Sequence, residues 1–116
     1  PDKLAVISRR PPGLDTPEDL IQEVLARFPA DLALVEAFTD AALPKLEIFR
    51  GSVHDRPIYL GATPMERAHW LGVVTDAPDL LAAAPCPVIP LDAEGSHIAA
   101  GADLIQALMS EQPQTA

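Results

Sequence analysis

Thirteen of the 116 residues are proline, against six glycines. Each proline fixes φ and withholds a backbone N–H, so it ends helices and is kept out of the middle of a sheet. A chain punctuated this often folds into many short elements with stiff joints. Aromatic residues make up only 4%, so the core has to be assembled from Ala, Leu, Val and Ile, and a chain of this length has room for one core. Residues 1–110 are expected to form a single α/β domain, with the polar residues 111–116 as a flexible tail.

Between the breakers, short apolar runs alternate with helix-start signals. Lys3-Leu4-Ala5-Val6-Ile7-Ser8 is too short for a helix before Arg9-Arg10-Pro11-Pro12-Gly13 and reads as a first strand. Thr16-Pro17-Glu18-Asp19 offers an N-cap hydroxyl, a proline at the first helical position and two acids at the positive helix end. The helix that follows carries Leu20, Ile21, Val24, Leu25 and Phe28 as one stripe and stops at Pro29. Residues 31–38, with Leu32, Leu34, Val35 and Phe38, read as a strand covered on both faces, completing a right-handed β-α-β unit. Residues 46–50 and 57–62 are expected to be two strands of a hairpin.

Thr63-Pro64-Met65-Glu66 has the spacing of a capping box. Residues 71–76, with two adjacent valines after Gly72, read as a strand, and Asp76-Ala77-Pro78-Asp79 as the cap of a short helix through Ala84. Residues 85–91 hold three prolines and therefore suit a very short or edge strand. The last helix, opened by Ser96-His97, is expected to bury Ile98, Ala102, Ile105, Leu108 and Met109. This alternation predicts an α/β sandwich, a small mixed or mainly parallel sheet flanked by three to four helices. Such sheets bind ligands at the carboxyl ends of their strands, which singles out residues 9–16, 39–45, 61–63 and 75–79.

Charge narrows the function. Eight basic residues face seventeen acidic ones, a formal net charge of -9 that repels nucleic acid and anionic lipid, so neither nucleic acid nor membrane is an expected partner. One cysteine cannot make an internal disulfide and no basic-then-apolar leader opens the chain, so a cytoplasmic protein is expected. His54, His69, His97 and Cys86 stand at none of the offsets that put ligands on one face, and Gly13 stands alone where a phosphate loop would need several glycines. Neither metal nor cofactor is expected.

Three readings of function remain. The first is a non-catalytic interaction or regulatory module that binds a protein partner or a second copy of itself. Tyr59 and Trp70 are its candidate anchors, being the only large aromatics with a polar tip, and His69 stands beside Trp70. A second rests on Pro1, whose secondary amine in an apolar pocket is a usable base at neutral pH, with Arg9 or Arg10 holding a carboxylate substrate. In Pro1 and the β-α-β order after it, the chain resembles the tautomerase superfamily, and the resemblance implies proton transfer at the amine. The third is a regulator that binds a small carboxylate or phosphate, such as a nucleotide, in the loop of Ser8, Arg9 and Arg10.

Overall fold

The computed structural model describes residues 13, 16–36 and 41–111, which fall into two compact units, one within residues 1–41 and the other within 42–116. Pro1, Arg9, Arg10 and the expected first strand at residues 3–8 lie outside the described residues, as do residues 112–116 of the expected tail.

The first unit holds helix α1, Pro17–Arg27, which starts and stops where its sequence says it should. The Thr16 hydroxyl accepts from the Asp19 amide at 3.1 Å, Pro17 sits at the helix start, and the Phe28 amide closes the last turn on the Val24 carbonyl just before Pro29. Residues 31–36, expected as a strand, are instead irregular and exposed, and no strand pairing among the described residues includes them. An apolar run becomes a strand only where a neighbour supplies ladder bonds. With Leu34 at 76% exposure, this run has neither ladder nor cover, and the β-α-β unit expected here is not formed by it.

The second unit is built on three strands, β1 (Lys45–Phe49), β2 (Trp70–Thr75) and β3 (Val88–Pro90), parallel throughout and ordered β1-β2-β3. Helices α2 (Ile58–Gly61) and α3 (Pro64–Arg67) join β1 to β2, a short 3-10 turn at Pro78–Leu81 joins β2 to β3, and α4 (Ser96–Glu111) follows β3. The fold is α/β. β3 lies at the sheet edge, where its prolines leave no central ladder position empty.

The expected hairpin is absent: residues 58–61 form α2 rather than a strand, because the Glu47 carboxylate on β1 captures the Ile58 and Tyr59 amides and turns the chain. The capping box forms in full, with the Thr63 hydroxyl on the Glu66 amide at 3.2 Å and the Glu66 carboxylate on the Thr63 amide at 3.4 Å. Asp76 does not cap the turn that follows it. Its Oδ1 accepts from the Gly51 amide at 2.8 Å and ties the loop after β1 to the loop after β2.

A register slip decides which side chains share a face. Lys45 pairs with Trp70 but Leu46 pairs with Gly72, so Leu71 is an extra residue in β2. The bulge brings Trp70 onto the face of Val73, where both pack with Phe49, Tyr59 and Leu81 as the core. On the other face the helix α4 packs against β2 and β3. A Cβ on Gly72 would stand 2.8 Å from the Pro87 carbonyl oxygen and 2.9 Å from Leu104 Cδ1, so the absence of a side chain is what lets strand and helix meet. This contact turns α4 away from the expected stripe. Ile98 is 70% exposed and Ala102 and Met109 are exposed too, while Gly101 is buried and Leu104, Ile105 and Leu108 are half-buried.

Candidate functional site

Glu47 is the one acid in the five-residue strand β1, and its carboxylate organises the site. Oε2 accepts from the Ile58 amide at 2.7 Å, and Oε1 from the Tyr59 amide at 3.0 Å and from the Trp70 indole N–H at 3.1 Å. One side chain therefore pins the start of α2 and the first residue of β2 to the middle of β1. Charged acceptors make the stronger hydrogen bonds, and three N–H groups converging on one carboxylate fix its position. The Tyr59 and Trp70 rings meet edge to face, with centroids 5.7 Å apart at 72°.

Arg67, at the end of α3, closes the other side. Its guanidinium lies 4.7 Å from the Tyr59 ring centroid, Nε donates to the Tyr59 carbonyl at 2.9 Å and Nη2 to the Leu60 carbonyl at 3.0 Å. Arg56 Nη2 donates to the same Leu60 carbonyl at 2.9 Å. Cations thus satisfy the last carbonyls of α2, as the negative end of a helix favours. Burial pushes the Tyr59 phenol above its ordinary value, and the neighbouring Cys86 raises it further while Arg67 lowers it.

Together these groups line a cleft of about 510 Å³, walled by Tyr59, Arg67, Trp70 and Cys86 with Pro64, Ala68, Pro85 and Pro87. Trp70 opens β2 and Pro87 immediately precedes β3, so the cleft lies at the amino ends of these strands. Open α/β sheets ordinarily bind ligands at the other end. At the carboxyl edge the loops bond to one another: Asp76 holds Gly51, the Leu91 amide donates to the Thr75 carbonyl, and the Asp92 carboxylate accepts from both the amide and the hydroxyl of Ser96. Ser96 and His97 are accordingly the start of α4, as expected, with His97 Nδ1 accepting from the Asp92 amide at 3.4 Å.

The structure brings Tyr59 and Trp70 together, both buried in the core and both bordering the cleft. His69 is half-buried beside Trp70, bonded through its backbone to Glu66 and Lys45, and does not line the cleft. Arg9, Arg10 and Pro1 fall outside the described residues. Sequence reasoning missed Glu47, Arg67 and the contribution of Cys86 to the wall. A lone acid inside an apolar strand was a readable signal for Glu47. Nothing in the sequence pointed to Arg67, because its partners are backbone carbonyls of another element. Among the described residues no group of His, Cys, Asp or Glu is placed to hold a metal ion, and no helix is long and apolar enough to cross a membrane. Comparisons with protein-family models, curated proteins and solved structures gave no match.

Proposed function

We propose that this chain is a small acidic α/β interaction module, holding a protein partner or a second copy of itself through the cleft at the amino ends of β2 and β3. The observation that carries this reading is the engagement of the ionisable groups around the cleft. Glu47 accepts three N–H groups, Arg67 is bonded to two carbonyls, and burial raises the Tyr59 phenol so that it stays protonated at neutral pH. A general acid or base must exchange its proton with a substrate. Groups engaged in this way build a shaped surface of aromatic, proline and thiol side chains. Rigid aromatic anchors bordered by a polar group are how interfaces obtain affinity at low entropic cost.

The test is a photo-crosslinking amino acid at Ala68, which is exposed and lines the cleft. Irradiation should give a discrete conjugate with one polypeptide, a second copy included, and the same probe at exposed Ala107 on α4 should not. Equal labelling from both positions, or none from Ala68, would overturn the proposal.

A further inference from the structure

We infer that the cleft accepts an acidic peptide segment, with a carboxylate against Arg67 and an adjoining apolar side chain against the Tyr59, Trp70 and proline wall. This rests on the cleft being the interaction surface, and it names the chemistry of what is held. Arg67 is the one charged side chain lining the cleft among the described residues, and it is a cation in a chain of net charge -9. A guanidinium has five N–H donors in a planar fork. Two are bonded to the Tyr59 and Leu60 carbonyls, which leaves the rest of the fork to meet a planar anion. A carboxylate matches that fork. The remaining wall is aromatic, proline and thiol, which suits an apolar side chain next to the acid and would not reward a second charge.

The volume, about 510 Å³, is that of a pocket for one or two side chains rather than for a large interface. The contact is therefore weak and exchangeable, with a Kd for an isolated short peptide on the order of 1 mM or somewhat below.

Trp70 and Cys86 are the only tryptophan and the only cysteine of the chain, and both line the cleft, so the unlabelled protein carries two independent reporters. The full chain is titrated with acetyl-Phe-Glu-Phe-amide and with its Gln counterpart, following Trp70 emission and the rate of Cys86 alkylation by iodoacetamide. The Glu peptide should shift the emission saturably and slow alkylation, and the Gln peptide should bind about tenfold more weakly. Because Arg67 also holds α2, its replacement can unfold the site, and Ala68→Glu on the exposed rim is the better variant. It should weaken the Glu peptide about fivefold more than it weakens the Gln peptide. If the two peptides bind alike, or the variant weakens both equally, the carboxylate assignment fails while the cleft stands as an interaction surface. If neither peptide shields Cys86 although the Ala68 conjugate forms, the partner chemistry named here is wrong; if the conjugate is missing as well, the interaction reading falls with it.

Discussion

Replacing Glu47 by Gln isolates what one carboxylate contributes to this fold, because the side chain keeps its length and loses only its charge and one acceptor. The retained oxygen can serve the Tyr59 amide and the Trp70 indole, 3.0 and 3.1 Å away, while the new NH₂ group faces the Ile58 amide, donor against donor, where the carboxylate accepted at 2.7 Å. A hydrogen bond to a charged group contributes about 1.5–3 kcal/mol and a neutral one about 0.5–1.5. The Ile58 residue is exposed, so water replaces its lost partner and the lower figure applies. Loss of that bond costs about 1.5 kcal/mol and weakening of the other two about 0.5 each, which gives about 2.5 kcal/mol. That is a large fraction of the stability of a small domain. Urea unfolding followed by Trp70 emission measures it, since the indole reports on the unit that Glu47 holds. A double-mutant cycle with Trp70→Phe, which removes the indole N–H together with part of the ring, is followed by circular dichroism because the chain has no other tryptophan, and should show a coupling of about 1 kcal/mol. A shift under about 0.5 kcal/mol for Glu47→Gln, or no coupling, would refute the assignment of Glu47 as the pin between β1, α2 and β2.

Thr63→Ala removes the capping-box hydroxyl of α3 and should lower stability by about 1 kcal/mol in the same urea assay. Gly72→Ala should cost more, about 2–3 kcal/mol, because the new methyl meets the Pro87 carbonyl at 2.8 Å and a backbone atom cannot swing away as a side chain can. Tyr59 is the only tyrosine, and burial raises its phenol above the ordinary value, so its absorbance should titrate later in the folded protein than in urea. The folded state then holds the proton more tightly than the unfolded one, and the associated stability, complete below the unfolded value, should fall as pH rises through the folded one.

What the sequence made legible was local. Thr16-Pro17 and Thr63-Pro64-Met65-Glu66 place their helix starts correctly because a cap is satisfied within three residues of itself. The valines of β2 and the prolines of β3 likewise carry their own preference, extended in one case and edge-bound in the other. The failures were set at a distance. Ile58, Tyr59 and Leu60 look like a strand until Glu47, eleven residues upstream of Ile58, takes two of their amides. Leu32, Leu34 and Val35 look like a strand with nothing described to pair them. In α4 only Ile105 and Leu108 of the expected stripe are half-buried, and the helix turned toward Gly101 and Leu104 because closeness to Gly72 decided the packed side. Of the site, Tyr59 and Trp70 were found through their scarcity, whereas Arg67 donates to backbone carbonyls that no pattern of side chains reveals.

The cleft owes its position to the same bulge that orders the core. Strict alternation from Val73 back along β2 would put Trp70 on the α4 face, beside Gly72, where the strand and helix are already in contact. The extra residue at Leu71 moves the indole to the face of Glu47, Phe49 and Val73 instead, so that its N–H reaches the carboxylate and its ring meets Tyr59. A chain with few aromatics has in this way set two of them side by side at the amino edge of its sheet, next to a cation. The loops of the carboxyl edge, where a ligand would ordinarily enter, are tied by Asp76 and Asp92. The wall of the proposed cleft is held separately, by Glu47 on the Ile58, Tyr59 and Trp70 N–H groups and by Arg67 on the Tyr59 and Leu60 carbonyls.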